Sequence, residues 1–274
     1  PLEANLGITS LIYYLSKNGF KDNVDYYDVN NLRPSDDDLI EYLKRKKPKV
    51  VGLSGPLTRC YPSVKRISGI VSKILPESWI VVCGHVTSSS DVILQKTKVD
   101  VCIVGDGEIP LVNLLNYIVK TDKKEIDDNI FDGFKGLSWI DSNKKFRFSG
   151  YSNQIISNDL YFPDYKIVEM GLQNKKNWIK YFFPLARKDR ILAREHVKNN
   201  KYIPSDSGTI LYLPTSKGCV AKCTFCQRYS KGYRKYHLDK LEKYIVKMKE
   251  TYNVEVVNVI DENFGSDVKQ AKGF

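Results

Sequence analysis

Residues 79–108 have the sequence WIVVCGHVTSSSDVILQKTKVDVCIVGDGE, in which strand-like, loop-like and helix-like stretches alternate. The apolar runs 79–83 and 99–104 are each followed at once by glycine, and residues 91–96 between them have the pattern of a short helix. Two strands separated by a helix are joined by a crossover connection, which makes them parallel. This stretch therefore predicts an α/β fold built on a parallel sheet.

The same alternation extends to both sides of that stretch. The further elements that the pattern predicts are strands at 23–29 and 49–54 and helices at 6–18, 35–46, 61–75 and 109–119. The expected architecture over residues 1–121 is a doubly wound sheet of the Rossmann or flavodoxin type. Such a domain normally opens with a strand, whereas this chain opens almost directly in a helix, so we expect its first strand to be missing.

Two further regions follow this domain. Residues 122–205 are predicted to be a connector, with a β-hairpin around 135–149 and a basic helical segment over 165–205. The strand and helix pattern starts again in residues 206–274 and stops after about one and a half units. Because that is too little to bury a core, we expect this last domain to be truncated.

Composition places the chain among globular proteins, with 42% hydrophobic and 27% charged residues. No apolar run approaches the roughly 20 residues that span a bilayer. The net charge of +11 is uneven: residues 1–164 hold 21 basic and 21 acidic side chains, while residues 165–205 hold ten and three. A basic second half suits a phosphate-bearing substrate or a nucleic acid. The alternative is a solvated lysine-rich face.

Three of the six cysteines, Cys219, Cys223 and Cys226, fall within eight residues. Thiolates at this density bind soft or borderline metals, as in iron–sulfur clusters or zinc sites. A structural zinc site needs four ligands, and the nearest further candidate, His237, lies eleven residues beyond Cys226. The other cysteines are scattered, which predicts core thiols and a reducing, cytoplasmic setting.

The C-x3-C-x2-C spacing, with Phe225 directly before Cys226 and a strand before the loop, resembles the radical S-adenosylmethionine superfamily. The resemblance implies a partial TIM-type barrel and a 4Fe-4S cluster held by Cys219, Cys223 and Cys226. It also implies that an electron donor such as flavodoxin or ferredoxin reduces the cluster, which cleaves S-adenosylmethionine to a 5′-deoxyadenosyl radical. Phe225 is then a cofactor-binding residue.

The resemblance extends to the strand predicted at 254–260, which ends in Asp261, Glu262 and Asn263. This strand is similar to the second barrel strand of that superfamily. There, polar groups at the strand end face the amino group of the bound methionine moiety, so these three residues are predicted to bind the cofactor. The alternative is that they are only turn residues.

Glycine-containing loops follow the predicted strands of the first domain. The residues that we assign to cofactor binding there are Ser54, Gly55, Gly84, Thr87, Gly105, Gly107 and Glu108. The set resembles the cobalamin-binding domain found before the barrel in one branch of the superfamily. No Asp-x-His-x-x-Gly stretch occurs, and His85 is the only loop histidine of this domain. The alternative is a domain that only packs against the barrel.

These features together predict a radical S-adenosylmethionine enzyme with cobalamin as a third cofactor, a methyltransferase acting on an unactivated carbon. A small-molecule or phosphate-bearing substrate is expected, with nucleic acid less favoured. The first alternative is a methylthiotransferase-like RNA-modifying enzyme, which should carry further cluster cysteines in its first domain. The second is a non-enzymatic, zinc-stabilised nucleic-acid-binding module.

Overall fold

The computed structural model describes residues 5–121, 123–173, 209–224, 226 and 229–274. Its first part contains helices α1 (Leu6–Lys17), α2 (Val29–Leu32), α3 (Asp36–Lys46), α4 (Tyr61–Ile74), α5 (Ser90–Lys96), α6 (Glu108–Lys120) and α7 (Asp128–Gly133). The strands of this part are β1 (Val50–Ser54), β2 (Trp79–Cys83), β3 (Val101–Ile103), β4 (Leu137–Ile140) and β5 (Phe146–Phe148).

These strands form one sheet in the order β1-β2-β3-β4-β5. Strands β1, β2 and β3 are parallel and are connected through α4 and α5, so the predicted α/β fold with a parallel sheet is confirmed. Strands β4 and β5 add to it in antiparallel orientation. The hairpin that we predicted in the connector therefore extends this sheet. In this position Leu137 and Trp139 pack against the apolar side chains of α6 and α7.

The strand predicted at 23–29 is wrong. Residues 24–28 have no regular structure, and α2 begins at Val29. The side chain of Asp28 caps this helix by accepting the N–H of Asn31, and the N–H of Asp28 donates to the carbonyl of Gly171 at 2.8 Å. The second contact uses a backbone N–H that a strand would pair with a neighbour, and the first one starts a helix in place of a strand.

Both faces of the sheet are covered, as the continuous apolar strands require. Ile80 and Val82 of β2 pack with α4 on one face, while Trp79 and Val81 pack with α6 on the other. Burial of each such side chain stabilises the fold by about 1.5–3 kcal/mol. Alternate side chains of β2 thus pack on opposite faces of the sheet. This packing holds the strand in place and fixes the position of the loop that follows it.

The second part contains α8 (Tyr165–Gly171), β6 (Thr209–Leu213), β7 (Ser216–Gly218), β8 (Tyr233–Lys235), α9 (Leu238–Tyr252), β9 (Val254–Val259) and α10 (Val268–Gly273). Strands β6 and β9 are parallel with α9 between them, and β7 and β8 form an antiparallel hairpin. The core of this part joins Leu211 and Leu213 to Leu241 of α9 and Val168 of α8. A barrel that begins with this βαβ unit stays a prediction.

The basic segment predicted over 165–205 lies outside the described residues from 174 onward. Within the described parts of the chain, no helix is both long and apolar enough to span a membrane.

Candidate functional site

The carboxyl ends of β1, β2 and β3 meet at one edge of the sheet, which we call the glycine edge after Gly55, Gly84 and Gly105 in its loops. Gly84 (φ 94°) and Gly105 (φ 88°) have backbone conformations that side-chain-bearing residues rarely adopt. A Cβ atom at Gly84 would lie 2.6 Å from the carbonyl oxygen of Gly55. Two loops of the edge therefore touch through their backbones.

Thr87 fastens the loop after β2 to strand β3. Its hydroxyl lies 2.9 Å from the carbonyl oxygen of Gly84 and 3.0 Å from that of Ile103, and the residue is only 1% exposed. At the neighbouring strand end, Ser54 accepts a hydrogen bond from the side-chain amide of Asn5 at 3.1 Å. The interactions seen for Thr87 thus shape the loop, and its direct contact with a cofactor stays a prediction.

An open cleft of about 2100 Å³ runs from the glycine edge along β1 and residues 22–34. Six of the predicted cofactor-binding residues line it: Ser54, Gly84, Gly105, Gly107, Glu108 and Glu262. The first five lie at or directly after the carboxyl ends of β1, β2 and β3, whereas Glu262 follows β9. One cleft therefore brings together residues that the sequence assigned to two separate cofactor sites.

Two buried carboxylates of the loop after β3 face two cations of the β7–β8 hairpin. Lys217 Nζ lies 2.9 Å from Glu108 Oε1 and 3.1 Å from Asp106 Oδ1. Arg234 Nη2 lies 2.7 Å from Asp106 Oδ2. The side chains of Asp106, Glu108 and Arg234 are at most 9% exposed. We call these four residues the ion cluster.

The ion cluster balances charge against burial. Burial favours the neutral form of Asp106, but Lys217 and Arg234 outweigh it and lower its pKa below the usual value. Burial likewise opposes the charge of Lys217, but Glu108 and Asp106 outweigh it and raise its pKa. Both residues are therefore charged at neutral pH. Ser10 donates a further hydrogen bond to Glu108 at 2.8 Å.

Tyr229 reaches from the loop after the cysteines to the glycine edge. Its hydroxyl oxygen accepts the backbone N–H of Gly84 at 3.0 Å, and its ring stacks on His85 with the centroids 4.6 Å apart. Burial raises the pKa of Tyr229, so the phenol is neutral. A residue three positions after Cys226 is thus in direct contact with two loop residues of the first domain.

The three clustered cysteines lie on the loop that follows β7. Cys219 is half-buried, Cys223 and Cys226 are exposed, and none of the three is in a disulfide. Across the described ranges, no group of three or more His, Cys, Asp and Glu side chains is arranged to hold a metal ion. The donor set nevertheless has the chemistry that an iron–sulfur cluster needs, three thiols on a partly exposed loop. Phe225 lies outside the described residues.

Asp261 is engaged with the segment before the cysteines. Its carboxylate accepts the backbone N–H groups of Thr215 and Ser216 at 2.6 and 3.0 Å. It also accepts their hydroxyl groups at 2.5 and 2.7 Å. Four donors use the lone pairs of a carboxylate, so the interaction seen for Asp261 is with the chain that leads into β7. Its predicted contact with a cofactor stays a prediction.

Glu262 and Asn263 follow Asp261 in the loop after β9. Burial raises the pKa of Glu262 above its usual value, although a hydrogen bond from the backbone of Gly218 opposes this shift. The carbonyl of Asn263 accepts the hydroxyl of Ser266 at 3.0 Å, which closes the turn. Of these two residues, Glu262 lines the cleft.

The scattered cysteines lie apart from that loop. Burial raises the pKa of Cys83 to about 12, and Cys102 is fully buried in the sheet. Cys60 lies at the start of α4 and is half-buried. Thiols with raised pKa values are poor metal ligands and poor nucleophiles at neutral pH.

Comparison with known proteins identifies the first domain. The family model of the B12 binding domain matches residues 2–115. Residues 2–115 are therefore similar to a B12 binding domain, and we refer to them by that name. The match ends within α6, so this domain contains β1, β2 and β3 and with them the whole glycine edge.

The chain is also similar to larger proteins. It is 22% identical over 250 residues to cytidylyl-2-hydroxyethylphosphonate methyltransferase of Streptomyces wedmorensis, covering 87% of this chain and 44% of that protein. It is also similar to a solved structure of the cobalamin-dependent S-adenosylmethionine radical enzyme OxsB with aqua-cobalamin bound. The alignment covers 96% of this chain and 32% of the OxsB chain, with a TM-score of 0.63 and 18% identity. For the OxsB structure that also holds S-adenosylmethionine, the TM-score is 0.61 and the sequence identity is 17%. The chain thus spans less than half of each relative.

At these identities the likeness to OxsB shows a shared fold. That fold joins a B12 binding domain to the region that carries the three cysteines. Sequence reasoning missed the contacts at this junction, which are made by Asp106, Lys217, Tyr229 and Arg234. The one signal available was that Lys217 comes directly before Gly218 and Cys219.

Proposed function

We propose that this chain is part of a cobalamin-dependent radical S-adenosylmethionine enzyme that transfers a methyl group. The observation that carries the proposal is the contact between Lys217 and Glu108 at 2.9 Å. Lys217 lies two residues before Cys219, and Glu108 lies in the loop after β3 of the B12 binding domain. The segment that leads into the cysteine loop is therefore in direct contact with the first residue after the glycine edge.

The glycine edge would hold cobalamin. Gly84 and Gly105 allow a large ligand to approach the backbone closely, and both line the open cleft at this edge. Ser54, Gly55, Thr87, Gly107 and Glu108 complete the proposed cofactor set. Open parallel sheets bind ligands at this edge.

The cysteine loop would hold the 4Fe-4S cluster through Cys219, Cys223 and Cys226. Phe225, Glu262 and Asn263 would hold S-adenosylmethionine next to it, with Asp261 fixing the segment that leads into the loop. When bound, these groups and cobalamin supply the electron and the methyl group. The protein binds and orients them and excludes water from the cleft.

A phosphate-bearing small molecule fits as substrate, because the similar Streptomyces wedmorensis protein is named for a cytidylyl-phosphonate compound. A flavodoxin or ferredoxin as electron donor and a cytoplasmic setting agree with six cysteines that form no disulfide with one another. The RNA-modifying alternative is less well supported, because Cys60, Cys83 and Cys102 are not grouped as a second cluster site would require.

The test is anaerobic reconstitution of the complete protein with iron and sulfide, beside a Cys223→Ala variant. A matched control is Cys60→Ala, which changes a half-buried thiol outside the cysteine loop. Iron, sulfide and zinc are then quantified. Electron paramagnetic resonance of the reduced protein is recorded with and without S-adenosylmethionine, and cobalamin binding is followed by absorbance.

We expect about four irons and four sulfides per wild-type chain and per Cys60→Ala chain. The Cys223→Ala variant should lose them. S-adenosylmethionine should change the resonance of the reduced cluster, and cobalamin should bind at one equivalent. Zinc without sulfide would contradict the proposal and favour the zinc-stabilised module, and a cluster indifferent to S-adenosylmethionine would contradict the radical chemistry.

A further inference from the structure

Lys217 and Arg234 are directly opposite each other in the register of the β7–β8 hairpin. Like charges at directly opposite positions of an antiparallel pair repel each other and destabilise it. Here each cation meets a carboxylate, so the repulsion is offset by Asp106 and Glu108. Asp106 and Glu108 therefore stabilise the hairpin in this geometry.

The two carboxylates belong to a loop that also forms the glycine edge. Asp106 and Glu108 lie on either side of Gly107, directly after Gly105 with its φ of 88°. Glu108 is in addition the first residue of α6. A ligand seated on the backbone of this loop restrains the same residues that carry both negative charges.

The cations are connected just as tightly to the cysteine loop. Only Gly218 separates Lys217 from Cys219, and its φ is 86°. A Cβ atom at Gly218 would overlap the carbonyl oxygen of Gly232 on the hairpin. The backbone between Lys217 and Cys219 is therefore short and closely packed. A ligand that orders the cysteine loop also orders Lys217.

We infer that the ion cluster couples the two cofactor sites, so that cobalamin and S-adenosylmethionine each bind more tightly when the other is present. The inference rests on the proposed function. Its physical basis is that the first ligand orders loops that the second would otherwise have to order, and this lowers the entropic cost of the second binding step. Asp106, Glu108, Lys217 and Arg234 are then positioning residues.

The test measures binding and not turnover. Hydroxocobalamin is titrated by absorbance into the complete, cluster-loaded protein in its oxidised state, with and without S-adenosylmethionine. We expect the dissociation constant of hydroxocobalamin to fall about 5- to 150-fold when S-adenosylmethionine is present, the usual range for coupled sites. The dissociation constant of S-adenosylmethionine must fall by the same factor when cobalamin is present, which checks the coupling in the wild type alone.

The variant is Lys217→Met combined with Glu108→Gln. It removes one anion and one cation together, so no buried charge is left without its partner. We expect the two dissociation constants of cobalamin to become equal in this variant. Lys235→Met is the matched control on the same hairpin, because Lys235 pairs with Asp267 at 2.6 Å and its side chain is 48% exposed. The control should keep the wild-type ratio.

Three outcomes would overturn the inference. A wild-type protein that binds both ligands with unchanged dissociation constants overturns the coupling and leaves the proposed function standing. A double variant that keeps the wild-type ratio shows that other contacts carry the coupling. A wild-type protein that binds no cobalamin overturns the proposed function and the coupling together.

Discussion

The hydroxyl oxygen of Tyr229 accepts the backbone N–H of Gly84 at 3.0 Å, across 145 residues of sequence. Gly84 is the residue at which β2 gives way to the glycine edge, and Tyr229 follows the cysteine loop by three residues. The hydrogen bond therefore joins the two loops that the proposed function needs side by side.

Tyr229→Phe should loosen the glycine edge. The variant keeps the ring that stacks on His85 but removes the acceptor of the Gly84 N–H. The loss of this hydrogen bond lowers the free energy of local opening by about 1 kcal/mol, which corresponds to about fivefold faster amide exchange. Hydrogen exchange followed by mass spectrometry should show faster exchange in residues 84–89. Exchange within α4 should not change, and equal exchange at 84–89 in both proteins would contradict the role of this bond.

Gly84→Ala should damage the glycine edge more severely. Gly84 has φ 94° and ψ −179°, a conformation nearly exclusive to glycine that costs other residues about 1–3 kcal/mol. The added methyl group would also meet the carbonyl oxygen of Gly55. We expect a loss of at least that size in the free energy of unfolding, measured with urea, and weaker cobalamin binding.

Gly52→Ala is the control for that substitution. Gly52 lies within β1, and a Cβ atom there would meet no other atom within 4 Å. Its free energy of unfolding should stay close to that of the wild type. Similar losses at positions 52 and 84 would mean that the backbone conformation of Gly84 is not what matters.

Asp106 should give stability a specific pH dependence. Because its pKa is lower in the folded protein than its ordinary value of 3.8, its contribution is present above pH 3.8 and is lost as the pH falls through the folded-state pKa. Asp106→Asn should cost about 3–5 kcal/mol at pH 7, since it breaks a buried charge pair. Urea unfolding between pH 3 and 7 should show this difference shrinking below pH 4, and a constant difference would contradict the assignment.

Asp261→Ala should destabilise the segment that leads into the cysteine loop. It leaves the buried N–H groups of Thr215 and Ser216 without an acceptor, at about 1–3 kcal/mol each. Asp261→Asn keeps one oxygen for both groups and should lose less. Denaturant unfolding and iron content after reconstitution should rank wild type, Asn and Ala in that order, and two equally stable variants would speak against this role.

Much of the first domain could be predicted from the sequence, because its strands are continuous apolar runs that end at glycine. The strand predicted at 79–83 agrees with β2, and the one at 49–54 agrees with β1 to within a residue. The prediction failed at 23–29, where the chain has strand-forming residues but its backbone bonds to the end of α8. The strand propensity of a segment shows only that it can form a strand. Whether it does depends on which part of the chain its backbone bonds to.

The site was predictable only in part, for the same reason. Glycine loops and cysteine spacing are local patterns, and six of the predicted residues do line one cleft. The charges of Asp106 and Arg234 are ordinary surface charges in any local reading of the sequence. Their burial depends on a contact between residues 128 positions apart, which no pattern within either segment could indicate.

The ion cluster has a consequence for the order in which the chain matures. The sheet of the first part is complete once Phe148, the end of β5, has been synthesised. Lys217, the partner of Glu108, is synthesised 109 residues after Glu108. Domains form from the N-terminus during translation, and contacts between distant residues close last. Until then Asp106 and Glu108 lack Lys217 and Arg234 as partners, and Gly84 lacks the hydroxyl of Tyr229. The glycine edge is thus synthesised well before the residues of the second part of the chain that contact it.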